Sequence, residues 1–472
     1  MRVVHSVLVG LLLALVAATG SANAQPVQQD MTESEVAFDS HGVTLRGTVF
    51  TPASAGRHPA VVLIHGSGPG PRAEYLPEAQ AFARAGVTTL VFDKRTIGYS
   101  TTHRDFSLLA DDALAGVALL RARTDVDPAA VGLWGFSEGG WVAPLVAARS
   151  PEIAFVVTIG GSGRTPLRTQ TWSLRNRLAH QGIAGSLPAA VAGPGAQFID
   201  GTGLFPEADF DPVPVLAQVR VPVLALWGEH DVKVPAAESA EIFQRELARA
   251  GNQSVTTRFV PGAGHNGHRT TDGFDSVGGA VFEGKPLGDL GPGYADVITD
   301  WIHAVAAGHP PASSAAPARP EAFLSHASEG RPAYEYAALA VLLLGFITYP
   351  LSAAFRMLLR RSPTQRPTAV RWAARSVSVL GLTTVLAGVA CVEWVLATGA
   401  QRAPSIILLG QPLPWLVVHI LAATVLSAAA ALALTWWRDR HRLDAISRAQ
   451  FAVLLLTACA FLPWALHWQL LR

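Results

Sequence analysis

The residues best suited to covalent chemistry begin with Ser137, which lies in the pattern G-x-S-x-G. An apolar run at 131–134 precedes the pattern and a helix-like apolar pattern follows it, so the serine is predicted on a turn between a strand and a helix. On such a turn a serine is exposed for nucleophilic attack, and neighbouring glycines let the strand and the helix approach each other. The amide of Glu138, at the positive end of the helix, is a candidate donor to an oxyanion. A chance match in a glycine-rich chain is the alternative, and the strand–turn–helix context disfavours it.

A serine nucleophile needs a base to accept its proton and a carboxylate to orient that base. His265 follows the last predicted strand in the sequence V-P-G-A-G-H, and Asp231 follows the preceding long strand in W-G-E-H-D. Because parallel strands bring their carboxyl ends to one edge of a sheet, Ser137, Asp231 and His265 are predicted to meet there. Other acidic and histidine residues do not follow a strand at that offset and are interpreted as surface or turn residues: Asp209, Asp211, Glu229, His230 and His268.

The second oxyanion donor is predicted in the sequence H-G-S-G at 65–68, which directly follows another strand. The backbone amide of Ser67 is the candidate, whereas its hydroxyl lacks the strand–turn–helix context of a nucleophile. A phosphate-binding role for these glycines is disfavoured, because neither a Walker lysine nor the pattern G-x-G-x-x-G follows. The chemistry that these residues indicate is acyl transfer, and it requires no metal and no organic cofactor.

The elements that must position these residues alternate along the first 300 residues or so. An N-terminal hairpin is predicted at 35–50, apolar strands at 59–65, 87–93, 131–134, 153–159, 221–227 and 254–260, and helices at 74–85, 105–123, 236–250 and 294–306. Strands that are apolar on both faces and alternate with helices indicate a mostly parallel sheet covered on both sides. Residues 163–214 interrupt this alternation and are predicted to form a small cap over the strand ends. The cap arginines suit a solvated helix face, with binding of an anionic substrate as the alternative: Arg164, Arg168, Arg175 and Arg177.

Residues 35–307 resemble the serine hydrolases of the α/β-hydrolase superfamily, most closely the bacterial esterases and S33-type serine aminopeptidase-like proteins. The resemblance rests on H-G-S-G-P-G, V-F-D-K-R-T-I-G-Y-S, L-A-D-D-A, G-F-S-E-G-G-W-V-A-P, W-G-E-H-D-V-K-V-P and P-G-A-G-H-N. The family usually has a glycine after the arginine of the D-x-R segment, where this chain has Thr96 and Ile97. The resemblance implies the α/β-hydrolase fold and carboxylic ester hydrolysis, with peptide or thioester bonds as alternative substrates. It does not cover the C-terminal segments.

The C-terminal part of the chain is far more apolar than the first 300 residues. After a Pro/Ala/Ser-rich linker at 308–332 with little that could pack, four apolar segments are each long enough to span a bilayer as a helix: 334–359, 376–398, 415–437 and 451–471. A helical bundle in water is disfavoured, because so few acidic residues accompany these runs. Basic residues concentrate in the first and third loops, which the positive-inside rule places in the cytoplasm: Arg356, Arg360, Arg361, Arg366, Arg371 and Arg375, then Arg438, Arg440, Arg442 and Arg448.

Residues 1–24 have the composition of a signal peptide. Arg2 gives the positive start, residues 7–18 the apolar middle, and A-N-A at 22–24 a small-x-small cleavage site. An uncleaved anchor is the alternative, but the apolar run is short for a span. The signal peptide and the basic loops independently place residues 25–307 outside the cytoplasm. The sequence thus predicts a multi-pass protein of a bacterial inner membrane with a periplasmic hydrolase domain.

Composition limits the remaining functions. The 472 residues carry a formal net charge of +1, so no nucleic-acid partner is implied. Cys391 and Cys459 both lie in apolar runs, so no disulfide or cysteine nucleophile is available to the first 300 residues. The predicted partners are a small-molecule ester or peptide substrate and the lipid bilayer. Two other classes stay open: a membrane transporter or sensor with an accessory hydrolase-fold domain, and an inactive binding module on that fold.

Three ionisable residues fall inside the predicted spans at a similar depth: Glu393, His419 and His467. Ionisable groups within spans are costly, so one inward-facing cluster that binds a headgroup, a proton or a metal is a hypothesis. Three independent residues at the membrane interface, each reaching water, are the alternative. Because the linker separates the two parts of the chain, residues 25–307 are also expected to form a soluble, active fragment by themselves.

Overall fold

One eight-stranded sheet forms the centre of the N-terminal part of the protein. A computed structural model describes residues 31–317, 319, 321, 324–326, 332–359, 367–401 and 406–472, so the predicted signal peptide lies outside the described residues. The strands of the sheet are β1 (Met31–Ser40), β2 (Val43–Pro52), β3 (His58–Ile64), β4 (Thr88–Phe92), β5 (Val126–Phe136), β6 (Val156–Ile159), β7 (Val223–Gly228) and β8 (Val255–Val260). They lie in the order β1-β2-β4-β3-β5-β6-β7-β8. The pairs β1–β2 and β2–β4 are antiparallel and the others are parallel, which confirms the predicted fold class.

Helices cover both faces of this sheet. In chain order they are α1 (Leu76–Arg84), α2 (Phe106–Arg121), α3 (Gly139–Arg149), α4 (Pro166–His180), α5 (Leu187–Ala190), α6 (Ala196–Gly201), α7 (Val213–Leu216), α8 (Ala236–Arg249) and α9 (Tyr294–Ala306). Alternate residues of a strand point to opposite faces, so Val62 of β3 packs in one buried cluster with α2, α3 and α8. Val61 packs in a second cluster with Phe82 of α1 and Tyr294 of α9. The loops at the carboxyl ends of the parallel strands carry the candidate residues.

Among the described residues of the C-terminal part there are four long helices, and each is long and apolar enough to cross a membrane. They are α10 (Pro332–Leu358), α11 (Thr368–Ala397), α12 (Leu413–Asp439) and α13 (Ala445–His467). The helix α11 begins at Thr368 rather than at 376, and α13 begins at Ala445 rather than at 451. The prediction missed these first turns because it measured the apolar length, whereas an amphipathic turn with exposed arginines such as Arg371 continues the helix beyond it.

The predicted cap contains α4, α5, a π-helical turn (Val191–Gly195) and α6, and it packs against the C-terminal helices. Leu178, Ile183 and Leu187 of the cap share one buried cluster with Phe346 of α10 and Trp415 of α12. Backbone bonds join the two parts as well, since the amides of residues 184 and 185 donate to the carbonyl of Gly410, at 3.1 and 3.2 Å. Gly410 lies in the turn of a short hairpin, β11 (Ile407–Leu408) and β12 (Gln411–Pro412), between α11 and α12. The cap and the C-terminal helices therefore form one hydrophobic core. (Two further short strands, β9 at Val281–Phe282 and β10 at Lys285–Pro286, form a separate hairpin.)

The described residues of the predicted linker bind to the N-terminal part, which corrects the expectation that this stretch has little to pack. Ser314 extends the sheet at β8, where its amide donates to Val255 O at 2.9 Å and its carbonyl accepts from the amide of residue 257 at 3.0 Å. Glu321 accepts from the first amides of α8, those of residues 237 and 238, and burial raises the pKa of its carboxyl to about 7. Composition misled the prediction, because backbone groups and single carboxylates can fix a segment that has almost no apolar side chains.

Candidate active site

The turn that carries Ser137 is built by glycines on both sides of it. Ser137 has a φ of +53°, in the left-handed region that non-glycine residues rarely adopt. A Cβ at Gly135 would lie 2.1 Å from the carbonyl oxygen of Gly139, and one at Gly139 would lie 2.4 Å from the carbonyl oxygen of Ile64. A Cβ at Gly140 would lie 2.5 Å from the Cα of residue 161, just after β6. Only glycine lets α3 start so close to β3 and β6, and this close approach holds the strained serine at the strand end.

Ser137, His265 and Asp231 lie in one hydrogen-bonded path. His265 Nε2 is 2.9 Å from Ser137 Oγ, and His265 Nδ1 is 2.9 Å from Asp231 Oδ2. The side chain of Asp231 is fully buried, and its Oδ1 accepts from the amides of residues 233 and 234 at 2.8 and 3.0 Å. With Asp231 as acceptor, Nδ1–H donates to the carboxylate and Nε2 is left to accept from the serine hydroxyl. A Cβ at Gly160 would come within 2.7 Å of the imidazole, so glycine is needed there to make room for the ring.

The amides of Ser67 and Glu138 are available beside Ser137. Neither donates a hydrogen bond to another group in the described part of the chain. The amides that flank Ser67 are occupied, since Gly66 N donates to Tyr75 OH and Gly68 N donates to Tyr99 OH, each at 3.1 Å. The loop lies close to the serine, because a Cβ at Gly66 would be 3.5 Å from the Cβ of Ser137. The two amides thus remain without a partner among the described residues, on segments that lie close to Ser137.

A buried ionic network, which the sequence did not reveal, joins these two amide-bearing segments. Lys94 Nζ donates to Glu138 Oε1 at 2.6 Å, to the carbonyl of Gly66 at 2.6 Å and to Tyr99 OH at 2.7 Å. Tyr99 OH also donates to Glu138 Oε1 at 2.7 Å, and Arg104 Nε lies 3.4 Å from Glu138 Oε2. Burial lowers the pKa of Lys94, although the Glu138 carboxylate opposes that shift. The sequence does show a lysine and a glutamate in apolar surroundings, Lys94 in D-K-R and Glu138 in F-S-E-G-G. Their spacing along the chain does not indicate that they form a pair.

The other acidic and histidine residues near the three, interpreted from the sequence as surface or turn residues, have other contacts. His268 does not lie at the surface, which corrects that part of the interpretation. His268 is buried, with Nε2 2.7 Å from Glu78 Oε1 and Nδ1 2.8 Å from the carbonyl of Leu287. Glu229 accepts from the amide of residue 262 and pairs with Arg319, and Asp211 accepts from the amide of residue 213. Asp209 is exposed, and His230 is half-buried. His65, beside the Ser67 loop, is uncharged at neutral pH, because burial and the charge of Lys94 lower its pKa to about 3.

The D-x-R segment is held by buried contacts, although Thr96 and Ile97 differ from the glycine that the family usually has there. Arg95 binds the Asp112 carboxylate with two hydrogen bonds, from Nε at 2.6 Å and from Nη2 at 2.5 Å, and both side chains are buried. Ile97 is exposed, and Gly98, with a φ of +77°, provides the left-handed residue of the turn. The glycine that the family usually has after the arginine is therefore replaced by one placed three residues after Arg95.

The cap residues Arg164 and Arg168 form ion pairs, which corrects their interpretation as part of a solvated face. Arg164 Nε donates to Glu238 Oε2 at 2.9 Å. Arg168 Nε donates to Ser325 Oγ at 2.7 Å and its Nη2 lies 3.5 Å from Glu238 Oε2. Ser325 Oγ in turn donates to Glu238 Oε2 at 2.6 Å. Arg164 and Arg168 thus join the cap to α8 and to the described part of the linker.

The three ionisable residues of the spans do not form one cluster. His419 Nε2 lies 3.0 Å from Ser186 Oγ in the cap, and His467 Nε2 lies 2.6 Å from Glu335 Oε1 of α10. Within the described ranges, Glu393 makes no hydrogen bond or ion pair with either histidine, and the histidines make none with each other. The single-cluster hypothesis is therefore wrong. Across these same ranges, no group of three or more His, Cys, Asp or Glu side chains is arranged to hold a metal ion.

The sheet order and the serine turn agree with a family match. The sequence profile of the prolyl oligopeptidase family (Peptidase_S9) matches residues 108–277, a range that contains Ser137, Asp231 and His265. This chain belongs to the α/β-hydrolase superfamily and is a hydrolase of that type.

Within the superfamily, the chain shares a family with an uncharacterized protein of Mycobacterium tuberculosis. The two are 30% identical over 232 residues, which are 49% of this chain and 72% of that protein. Esterase EstD of Thermotoga maritima is 26% identical over 243 residues, covering 46% of this chain and 58% of the esterase. Among solved structures, 2,6-dihydroxy-pseudo-oxynicotine hydrolase is 19% identical with a TM-score of 0.42, covering 61% of this chain and 72% of that one.

Proposed function

We propose that this protein is a serine hydrolase that cleaves carboxylic esters through an acyl-enzyme on Ser137. The observation that carries the proposal is the continuous path from Ser137 Oγ through His265 to the buried carboxylate of Asp231, with both contacts at 2.9 Å. Such a path lets one imidazole accept the serine proton and have its charge stabilised by the carboxylate. The strained serine turn and the two available amides supply the nucleophile position and the oxyanion donors that the same chemistry needs.

The reaction follows from this geometry in two steps. Ser137 Oγ attacks the ester carbonyl carbon while its proton passes to His265 Nε2, and the amides of Ser67 and Glu138 donate to the oxyanion. Asp231 stabilises the imidazolium, which then gives its proton to the leaving alcohol as the carbon–oxygen bond breaks. A water molecule that transfers its proton to His265 next attacks the acyl carbon. Collapse of the second intermediate releases the acid and returns the proton to Ser137.

A peptide bond is the second candidate substrate on the same residues. The matched profile is that of the prolyl oligopeptidases, which favours this alternative. The attacking and proton-transferring atoms would be unchanged, and His265 would protonate a leaving amine instead of an alcohol. A thioester would use the same set with a thiolate leaving group, so comparison of matched ester, thioester and amide substrates distinguishes the three.

The hydrolase part is proposed to be exported and anchored in a bacterial inner membrane on the periplasmic side. The four candidate spans support anchoring. The predicted signal peptide and the basic first and third loops support the orientation. Reporter fusions at the two termini of the C-terminal part test it, since a fusion after residue 472 and one near residue 310 should both report an external location.

The proposed nucleophile is tested by labelling the full-length protein with a fluorophosphonate probe. The wild type is expected to be labelled and Ser137→Ala to remain unlabelled, because only an activated serine forms the adduct. Ser67→Ala is the matched control and should still be labelled, since it keeps the backbone amide that is proposed as a donor.

Kinetics with a short-chain aryl ester complement the labelling. His265→Ala should lower kcat on the order of 10⁶-fold, as removal of the base does in triads that act as a unit. His230→Ala changes a neighbouring histidine outside the hydrogen-bonded path and should have little effect. Labelling that persists in Ser137→Ala would assign the nucleophile to another residue.

A further inference from the structure

An apolar cavity of about 420 Å³ lies between the cap and the C-terminal helices, apart from the proposed catalytic residues. Its walls include Leu178, Ile183 and Leu187 of the cap, Ala387 and Ala390 of α11, and Trp415 of α12. The volume is within the range of about 300–1,000 Å³ that is usual for small-molecule sites, and the side chains around it are almost all apolar. Neither the reaction proposed above nor the family match assigns a ligand to this cavity.

The cavity opens sideways at the depth of a candidate span. Ala387 lies ten residues before the last residue of α11, so this wall extends roughly 15 Å along the helix at about 1.5 Å per residue. Ala390 is exposed, and Trp394, also in the wall, is 54% exposed, so the opening faces the outside of the helix bundle. If α11 spans a bilayer, the medium at this opening is the hydrocarbon of the lipid chains. The occupant that such an opening admits is an acyl chain.

A larger and more polar cavity adjoins the apolar one. It has a volume of about 720 Å³, and Ile183 of the cap lines both cavities. Its wall includes Arg175, His326 and His467, which can bind a polar group by hydrogen bonds or charge. A polar compartment next to an apolar one that opens to lipid matches the two ends of an amphiphile.

The helix α4 joins this pair of cavities to the proposed active site. Asn176 Nδ2 donates at 3.3 Å to the carbonyl of Val232, the residue that follows Asp231. Two residues further along the same helix, Leu178 lines the apolar cavity. One turn of α4 therefore contacts the Asp231 loop and also forms part of the wall of the apolar cavity. A ligand in that cavity would lie against the same helix that contacts the loop of the proposed catalytic aspartate.

From these observations we propose that the apolar cavity binds the acyl chain of a membrane-resident lipid ester, which the enzyme takes from the bilayer as its substrate. The proposal rests on the ester hydrolysis proposed above and on α11 spanning the membrane. Gln181 of the same wall gives a further detail: its Nε2 donates to the carbonyl of Ala400 at 2.6 Å, while its buried Oε1 has no partner among the described residues. That oxygen can accept a hydrogen bond from a donor on the polar end of the lipid.

Photocrosslinking in lipid nanodiscs tests this proposal independently of hydrolysis. The full-length protein carries Ser137→Ala, so that the ester is not consumed, and the phosphatidylcholine nanodiscs contain a phosphatidylethanolamine, whose ammonium can donate hydrogen bonds, with a diazirine on its acyl chain. After irradiation, mass spectrometry should find label on residues 178–187 of the cap as well as on α11. The cap label on Leu178, Ile183 and Leu187 is diagnostic, because these side chains are buried against the C-terminal helices and surrounding lipid alone would reach only exposed residues.

Ala390→Trp should fill the cavity and reduce the cap label several-fold. Ala397→Trp is the matched control, since Ala397 is exposed on the same helix and lies outside the cavity wall, and it should leave the label unchanged. If Ala390→Trp does not fold, Ala387→Phe serves as the second filling variant. Absence of label on residues 178–187, or label that neither filling variant reduces, would overturn the proposal.

In the otherwise wild-type enzyme, Ala390→Trp should also lower kcat/KM for a long-chain ester more than for a short-chain one. Failure of this proposal and failure of the proposed function are distinguishable. A cap label in the absence of fluorophosphonate reactivity would mean a lipid site without the reaction, and the reverse result would mean an esterase with a different substrate path.

Discussion

At the scale of single residues, the Lys94–Glu138 pair joins the two segments that carry the proposed oxyanion donors. Lys94 binds the carbonyl of Gly66 and the carboxylate of Glu138, so it fixes the Ser67 loop and the residue after Ser137 to each other. Sequence reasoning found Ser137, Asp231 and His265 because each directly follows a strand, where the topology alone brings them together. Lys94, Tyr99 and Arg104 come from an irregular loop whose path no periodicity predicts, so their convergence on Glu138 could not be anticipated.

We predict a strong coupling between Lys94 and Glu138. Lys94→Met leaves a buried carboxylate without its amine and should destabilise the protein by about 3–5 kcal/mol. The double variant Lys94→Met, Glu138→Gln removes both charges and should be less destabilised than the single lysine variant. Thermal unfolding of the wild type, Lys94→Met, Glu138→Gln and the double variant measures the coupling.

The activity of the double variant carries a further expectation. Its kcat for an aryl ester should remain low although stability recovers, because the Gly66 carbonyl and Tyr99 have lost their common partner. Additive effects on stability, or full recovery of kcat, would show that the pair does not position the oxyanion donors. Glu152→Gln, at an exposed carboxylate on the same part of the protein, is the control.

The buried His268–Glu78 pair predicts a pH dependence of stability. Burial disfavours the imidazolium, but the hydrogen bond and charge of Glu78 outweigh it and raise the pKa of His268 above the ordinary value of 6.5. The pair therefore contributes stability that is fully present below pH 6.5 and is lost as the pH rises through the folded-state pKa. Thermal melts of the wild type and Glu78→Gln across this window should converge as the pH increases. A difference that grows with pH would contradict the assignment.

At the scale of elements, the contact of α3 with β3 and β6 sets the position of the serine turn. The glycines of this turn were expected from the sequence, but the particular neighbours that exclude a side chain, such as Gly161 beyond Gly140, depend on which strands become adjacent. That adjacency is a property of the sheet order, in which β5 lies between β3 and β6. The order was not predicted, because apolar strands of similar composition do not identify their neighbours.

We predict that Gly140→Ala is destabilising although alanine favours helices. Its Cβ would lie 2.5 Å from the Cα of Gly161, so α3 must shift, at a cost of about 1–3 kcal/mol for overpacking. Gly193→Ala is the matched control, since its Cβ meets no atom within 4 Å and its φ is not positive. Thermal unfolding and kcat check the pair. Equal behaviour of the two variants would mean that the close approach of α3 and the segment after β6 is unimportant.

At the scale of the whole molecule, the cap belongs structurally to the C-terminal helices as much as to the sheet. The sequence predicted the cap, the four spans and the linker as separate units, and those boundaries follow composition. It could not show that Leu178, Ile183 and Leu187 bury against α10–α12, because apolar cap residues are equally typical of a substrate pocket. The apolar surfaces of the cap and of the C-terminal helices are far apart in the sequence, and neither segment has a local pattern that indicates its partner.

This shared core changes the expectation for residues 25–307 alone. The fragment was predicted to be soluble, but without α10–α13 it exposes the cap side chains that now lie in the common cluster. We therefore expect it to aggregate or to bind detergent, as size-exclusion chromatography with and without detergent can measure. A fragment with Leu178→Ser and Leu187→Ser should aggregate less, whereas Leu63→Ser, in the sheet core, should aggregate more. A monodisperse, active fragment without detergent would support the original prediction.

The attachment of Ser314, Glu321 and Ser325 to the N-terminal part has a mechanical consequence. If residues 308–332 were an unbound linker, they could extend by roughly 80 Å. The hydrolase could then move up to that distance away from the membrane. With those residues bound to β8 and α8, and the cap packed in one core with the C-terminal helices, the hydrolase part is held at the helix bundle and does not have this reach. In the anchored arrangement proposed above, the enzyme works within a thin layer at the bilayer surface. For a substrate that is itself held in the bilayer, the encounter rate is then set by lateral diffusion in two dimensions, whereas a soluble ester must first diffuse to the membrane surface.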